Sequence, residues 1–171
     1  MIRVGFGYDA HRLEEGLPLV LGGVAIPYDK GLAAHSDGDV ILHAAMDALL
    51  GAAALGDIGK LFPDTDPRYE RCSSLSLLGE VGQVLSRQGY VIQNIDCTLV
   101  AQRPRILPYV PEMRRCISQT LDIDVDRVSV KGTTTEGLGF SGREEGLQCY
   151  AICCISGPVT ENPGPGHTPQ L

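Results

Sequence analysis

Residues 36–55 read SDGDVILHAAMDALLGAAAL, and this alanine-rich segment predicts a helix that is apolar around most of its circumference. Ser36 and Asp39 have the spacing of a capping box, so we expect the helix to begin at Ser36. A helix of this kind is either buried in a core or lies in an interface between subunits. His43 stands out, because it places an imidazole among the apolar positions.

Apolar strands precede and follow this helix, and two more helices are predicted between them. The predicted elements are a strand at 2–7, a hairpin at 19–26 that turns at Gly22-Gly23, helices at 74–88 and 111–121, and strands at 91–101, 128–131 and 147–155. Their order predicts an α+β fold (α/β sandwich-like), with a mixed four-stranded main sheet and helices on one face. The last strand is apolar on both faces, and association of subunits is the simplest cover for the face without helices.

The composition is that of one globular domain, with 171 residues, 43% of them hydrophobic and 20% charged. We expect a single domain at residues 1–157 and a disordered tail at residues 158–171, which contain four prolines and two glycines. The net charge of −7 argues against a nucleic-acid partner, and no apolar run is long enough for a membrane span. Six cysteines without a C-x-x-C pair, and no signal peptide before the first strand, predict reduced thiols and a cytoplasmic location.

A candidate metal site involves Asp9, His11 and His43. Asp9 and His11 end the first strand, and the alternation of a strand points both side chains to one face. One carboxylate and two imidazoles are a ligand set for a zinc ion that keeps a coordination position free for substrate. The alternative is that His11 ends a strand and His43 is a hydrogen-bonded core histidine.

Polar residues near His43 allow two interpretations each. Asp39 and Asp47 share its helix face and could accept a hydrogen bond from its second ring nitrogen. Alternatively, Asp39 could complement the helix dipole while Asp47 is solvated, and we favour this second interpretation. His35 and Ser36 lie at the helix N-terminus, where an anion would find free N–H groups, although Ser36 alone is better explained as a cap.

Three further segments have the composition of ligand-binding loops. Residues 131–136 read KGTTTE, which offers three hydroxyls and an acid suited to a hard cation held jointly with phosphate, or else forms an ordinary strand end. Residues 137–143, GLGFSGR, form a glycine loop that ends in a cation suited to oxyanions. Residues 101–107, AQRPRIL, could present backbone groups to a planar base, or could simply connect a strand to a helix.

Together these segments resemble the 2-C-methyl-D-erythritol 2,4-cyclodiphosphate synthase family of the non-mevalonate isoprenoid pathway, over residues 1–156. The resemblance rests on five motifs in fixed order, DAH at 9–11, GLAAHSDGDVILH at 31–43, GDIGKLFPDTDP at 56–67, AQRPRILP at 101–108 and KGTTTEGLGFSGR at 131–143. It implies a homotrimer with sheets facing the threefold axis and with active sites between subunits. It also implies release of CMP from a cytidylated methylerythritol phosphate as a cyclodiphosphate ring closes.

The resemblance also implies roles for individual residues. Asp9, His11 and His43 match the zinc ligands, Glu136 matches the ligand of a second divalent ion, Mg²⁺ or Mn²⁺, and His35 and Thr134 match residues that stabilise the transition state. The implied substrate contacts are Asp9, Ala10, His11, His35, Ser36, Asp57, Ile58, Gly59, Phe62, Pro63, Asp64, Thr65, Asp66, Ala101, Gln102, Arg103, Pro104, Arg105, Ile106, Leu107, Thr133, Thr134, Thr135, Glu136, Phe140 and Arg143.

The chain departs from the usual family pattern at four positions, Arg105, Gly132, Gly137 and Ser141, where Lys, Ala, Lys and Thr are common. These changes leave the implied metal ligands in place and affect only the stiffness of the loop and the detail of the cytosine and phosphate contacts. Two other classes fit parts of the sequence. A zinc hydrolase would yield a linear product, and a non-catalytic trimeric nucleotide-binding module would need no tightly held zinc.

Overall fold

A computed structural model describes residues 1–63, 65–69 and 72–158. Its elements in chain order are β1 (Ile2–Glu15), β2 (Leu19–Leu21), β3 (Val24–Ile26), β4 (Lys30–Leu32), α1 (Val40–Ala52), α2 (Ile58–Leu61), α3 (Ser74–Arg87), β5 (Val91–Val100), α4 (Val110–Leu121), β6 (Val128–Thr133), α5 (Gly139–Gly142) and β7 (Gly146–Ser156). The predictions for Asp64 and for the tail beyond residue 158 lie outside the described residues.

The main sheet is mixed, as predicted, with the strand order β4-β1-β7-β5-β6. β7 pairs antiparallel with β1 and β5, whereas β5 and β6 run parallel. The prediction of four strands was wrong, because the sheet has five. β1 continues past residue 7 to Glu15, and its distal end pairs with β4, where Leu13 lies opposite Leu32. The polar residues at 8–12 hid this extension from an analysis based on apolar patterning.

Helix α1 lies directly on the backbone of β1. A Cβ atom at Gly5 would stand 1.9 Å from the carbonyl oxygen of Ala48, and one at Gly7 would stand 2.0 Å from that of Ala44. Neither contact partner is a flexible side chain, so only glycine allows this approach. The small residues on both elements therefore set the distance between the sheet and the helix that carries His43.

We expect Gly7→Ala to lower the free energy of unfolding by about 2–3 kcal/mol, because the added methyl group forces the helix and strand apart. The measurement is chemical denaturation of the purified protein. Gly51→Ala is the matched control: Gly51 lies on α1, and a Cβ atom there would stand 4.0 Å from the carbonyl oxygen of Phe6. It should raise the stability by about 0.5–1 kcal/mol through better helix propensity. Equal effects of the two variants would contradict the proposed contact.

Asp39, and not Ser36, caps helix α1, which corrects the predicted helix start. Its carboxylate accepts hydrogen bonds from the backbone N–H groups of Ile41 and Leu42. It also accepts from Gly22 at 2.9 Å and Gly23 at 2.6 Å, in the turn of the β2–β3 hairpin. The chain turns at Gly38 with φ of +72°, so Ser36 lies one turn before the helix. Asp39 thus joins the hairpin to the helix through one buried carboxylate.

The helices cover one face of the sheet, as predicted, and the other face is apolar and exposed in the single chain. Alternate residues of β1 and β7 form this exposed strip: Ile2, Val4, Phe6, Tyr8, Tyr150 and Ile152. Val4 is 67% exposed and Phe6 is 62% exposed, although each lies between residues that are buried or half-buried.

The cysteines are free thiols, and Cys153 and Cys154 point to opposite faces of β7, the first buried and the second half-buried. Among the helices of the described residues, none has the length and apolar character required to cross a bilayer.

Candidate metal centre and substrate cavities

The predicted metal triad comes together at the end of the contact between β1 and α1. Asp9 and His11 continue the strand face on which Gly5 and Gly7 touch the helix, and His43 precedes Ala44 on that helix. Asp9 Oδ2 lies 2.9 Å from His11 Nε2 and 2.9 Å from His43 Nδ1. The two ring nitrogens are 3.0 Å apart.

This triangle of donor atoms fits a divalent ion. Ligands about 2.0–2.1 Å from a tetrahedral zinc ion are about 3.3 Å from one another, so only a small expansion of the triangle is needed. A carboxylate oxygen and two imidazole nitrogens are also the donor types that zinc binds. Among the described residues, one group of at least three His, Cys, Asp or Glu side chains has its ligand atoms close enough to share an ion. It consists of Asp9, His11 and His43.

The electrostatics of the triad favour a cation. Burial alone would raise the pKa of Asp9, but hydrogen bonds from His11 and His43 outweigh it and hold that pKa well below its usual value. Burial likewise lowers the pKa of His43, and the hydrogen bond and charge of Asp9 more than compensate, so that this pKa is raised. Without a metal, the site therefore keeps its carboxylate ionised and attracts a proton that a divalent ion would replace.

The second ring nitrogen of His43 contacts two hydroxyl groups. His43 Nε2 lies 3.0 Å from Ser74 Oγ and 3.1 Å from Ser36 Oγ. Asp39 and Asp47, which the sequence offered as partners of this nitrogen, serve other groups. Asp39 caps the helix, and Asp47 accepts from the N–H of Ile58 at 2.8 Å and is half-buried, so the prediction that it is solvated was wrong.

A cavity of about 710 Å³ opens beside the triad. It gathers seven more of the predicted site residues, His35, Ser36, Ile58, Gly59, Phe62, Thr65 and Asp66. It also has lining residues that the sequence did not indicate, Ala33, Ala34, Tyr69 and Leu77. Asp57 instead caps α2, with Lys60 N donating to its side chain at 2.9 Å, and Pro63 is exposed.

A second cavity of about 840 Å³ gathers the predicted base-binding segment. Its lining includes residues 101–107 and 131–134, and therefore Thr133 and Thr134. Tyr28 completes the wall and was missed in the sequence, because the loop after β3 has no motif of its own. Its hydroxyl donates to Glu144 Oε2 at 3.1 Å, which ties this loop to the end of the glycine loop.

Glu136 and its neighbours lie at the rim of the second cavity. Thr134 Oγ1 donates to Glu136 Oε1 at 2.7 Å, and Gly137 N donates to Gln102 Oε1 at 3.3 Å. Glu136 is exposed and has φ of +53°, a conformation that side-chain-bearing residues adopt rarely and mostly at functional sites. Thr135 Oγ1 donates to the carbonyl of Leu138 at 2.5 Å.

A third, smaller cavity of about 550 Å³ contains Ala10, His11 and Phe140. Arg143 is exposed and pairs with Glu145 at 2.8 Å. Within one chain, the metal triad therefore lines one cavity and Thr134, which donates to Glu136, lines another.

Known proteins resemble nearly the whole described chain. The sequence pattern of the YgbB family matches residues 2–156. The 2-C-methyl-D-erythritol 2,4-cyclodiphosphate synthase of Clostridium perfringens is 56% identical over 154 residues, which cover 90% of this chain and 99% of that protein. A solved structure of 2C-methyl-D-erythritol-2,4-cyclodiphosphate synthase in a CDP-bound form matches with a TM-score of 0.83 and 39% identity, covering 90% of this chain and all of the other.

A longer protein also contains this fold. The structure of the bifunctional IspDF from Campylobacter jejuni matches with a TM-score of 0.89 and 43% identity. The match covers 92% of this chain but only 43% of the bifunctional one, so it concerns one part of that enzyme.

Proposed function

The chain belongs to the YgbB family, and we propose that Asp9, His11 and His43 hold the zinc ion with which it works as a cyclodiphosphate synthase. It converts 4-diphosphocytidyl-2-C-methyl-D-erythritol 2-phosphate to 2-C-methyl-D-erythritol 2,4-cyclodiphosphate and releases CMP, a step of the non-mevalonate isoprenoid pathway. The 2-phosphate oxygen attacks the β-phosphorus of the same molecule as the bond to CMP breaks, which closes an eight-membered ring. The convergence of three donor atoms within 3.0 Å on a substrate-sized cavity is the observation that carries the zinc assignment.

No protein nucleophile is required, because both reacting groups belong to the substrate. The barrier comes from bringing two anionic phosphate groups together, and positioning and charge neutralisation lower it. A bound zinc ion supplies Lewis-acid stabilisation of phosphate charge. Asp9, His11 and His43 would hold the ion, and the cavity beside them, in which His35 and Ser36 lie, would receive the phosphate groups.

We assign the other predicted residues to binding and charge stabilisation. His35 is exposed at the cavity and can donate to phosphate oxygens, with Ser36 beside it. The Thr134 hydroxyl can donate to the developing charge, and Glu136 can hold the second cation, Mg²⁺ or Mn²⁺, against the diphosphate. The backbone of residues 101–107 surrounds a cavity suited to the cytosine base.

The complete site requires a second copy of the chain. The triad and Thr134 line separate cavities in one chain, although the reaction brings the phosphate groups that they would bind together. A homotrimer resolves this if the triad of one subunit faces the Thr134 loop of its neighbour. The apolar strip on β1 and β7 supplies a surface for the threefold axis. Free thiols, three of them buried and three half-buried, suit work in the reducing cytoplasm.

Phosphorus NMR of the product tests the proposed reaction. With the cytidylated substrate, the protein should release CMP and form a product with two ring phosphorus signals, and a chelator should stop both. A linear diphosphate or free phosphate as the product would identify a hydrolase instead. Binding of substrate without any product would identify a nucleotide-binding module.

We expect Glu136→Gln mainly to weaken the response to added Mg²⁺, because an amide binds hard cations less strongly than a carboxylate does. The Mg²⁺ concentration for half-maximal rate should rise by about tenfold, while the zinc content stays the same. Glu144→Gln serves as a control of equal charge change on a residue that contacts Tyr28. An unchanged Mg²⁺ titration for Glu136→Gln would refute the assignment.

A further inference from the structure

A chain of hydrogen bonds leads from the metal triad to a carboxylate that no motif links to it. His43 Nε2 lies 3.0 Å from Ser74 Oγ, and the Ser74 hydroxyl donates to Asp37 Oδ1 at 2.5 Å. The backbone N–H of Ser74 donates to the other oxygen, Asp37 Oδ2, at 3.0 Å. Ser74 is fully buried, although it lies 31 residues from His43 in the sequence.

The direction of these bonds determines where the imidazole carries its proton. An ionised carboxylate only accepts, so Asp37 takes the single hydroxyl proton of Ser74. The Ser74 oxygen then has only lone pairs to offer to His43, so Nε2 donates its N–H to Ser74. Nδ1 lies 2.9 Å from Asp9 Oδ2, and in the metal-free protein its own N–H faces that carboxylate. A metal ion at the triad would replace the Nδ1 proton, while Nε2 would keep its proton and its bond to Ser74.

Two features keep Asp37 in this role. Its carboxylate lies at the N-terminus of the fourteen-residue helix α3, whose dipole favours an anion there. Ser73, the N-cap residue of α3, makes no side-chain capping bond, so Asp37 satisfies the first N–H of the helix in its place. Ser36 Oγ also approaches Nε2, but it accepts from Gly38 N and is not held by a carboxylate.

We infer that Asp37 and Ser74 are positioning residues that hold His43 in the tautomer whose Nδ1 lone pair is available to the metal. The inference rests on the proposed role of His43 as a ligand. Asp37→Asn is the most informative variant, because its side chain keeps the shape of aspartate but has only one acceptor oxygen. If that oxygen accepts from Ser74 N, the amide NH₂ faces Ser74 Oγ. The hydroxyl then turns its proton toward His43 Nε2, which opposes the Nε2–H form that metal binding through Nδ1 requires.

Nitrogen-15 NMR of the His43 ring in the zinc-loaded protein measures this tautomer without any turnover. The wild-type protein should show a hydrogen-bonded proton on Nε2 and the metal on Nδ1, and Asp37→Asn should weaken or lose the hydrogen-bonded Nε2–H signal. Zinc affinity, measured by competition with a chelator, should fall about 10–100-fold in Asp37→Asn and in Ser74→Ala. Ser74→Thr keeps the hydroxyl and should retain the wild-type tautomer and affinity.

Ser73→Ala is the matched control, because it removes the hydroxyl of the residue next to Ser74, and that hydroxyl makes no capping bond to helix α3. It should change neither the tautomer nor zinc binding. Unaltered zinc affinity in both Asp37→Asn and Ser74→Ala would overturn the inference, as would an unchanged hydrogen-bonded Nε2–H signal in both. If the wild-type protein itself binds no zinc, the metal assignment fails instead.

Discussion

Replacement of His43 by alanine should abolish zinc retention and reduce CMP release at least about 10³-fold, because one of three protein ligands is lost. The fold should survive, since alanine has high helix propensity and α1 is already rich in alanine. His11→Ala should behave in the same way, because His11 Nε2 lies 3.0 Å from His43 Nδ1 at the same point. The two variants should thus lose zinc and activity alike, although one residue lies on a strand and the other on a helix.

The measurements are zinc content by atomic emission and the rate of CMP release, each beside a thermal unfolding curve. Asp47→Asn provides the control on the same helix, because Asp47 accepts from Ile58 N and an amide oxygen can do the same. It should keep its zinc and its activity. Full turnover by zinc-free His43→Ala would remove the metal centre from the proposed mechanism.

The sequence predicted the parts of the site that follow from local patterns. The alternation of β1 placed Asp9 and His11 on one face, and the apolar helix around His43 implied a buried partner for that imidazole. The mixed sheet with one helical face also followed from the order of the elements. Each of these features depends on spacing within a few residues.

The features that sequence reasoning missed depend on tertiary contacts. Ser74 approaches His43 only because the N-terminus of α3 packs against α1, and no spacing of residues in the sequence predicts that contact. Asp39 caps helix α1 in place of Ser36, because the hairpin turn supplies two further N–H donors to its carboxylate, from Gly22 and Gly23. The extension of β1 is likewise stabilised by pairing with β7 as far as Arg12, which patterning within β1 cannot reveal.

Mixed trimers of two inactive variants should regain activity if the active site lies between subunits. Thr134→Ala should lower the rate about 10²–10³-fold by removing one donor to the developing charge. A His43→Ala subunit still offers an intact Thr134, and a Thr134→Ala subunit still offers an intact triad. Where these two halves face each other, one site of the mixed trimer is complete. Purified mixed trimers should therefore have about a third of their sites restored.

The two variants are co-expressed with different affinity tags, and the mixed species are purified through both tags before CMP release is measured. The matched control combines His43→Ala with His11→Ala, whose lesions fall in the same half-site, so no arrangement of subunits can assemble an intact triad. Recovery in the first mixture but not in the second would place the triad and Thr134 on opposite sides of one interface. If neither mixture recovers although mixed trimers form, the two cavities of a single chain must cooperate in another way. The separate location of the triad and Thr134 argues for the first result, because the two line different cavities of one chain.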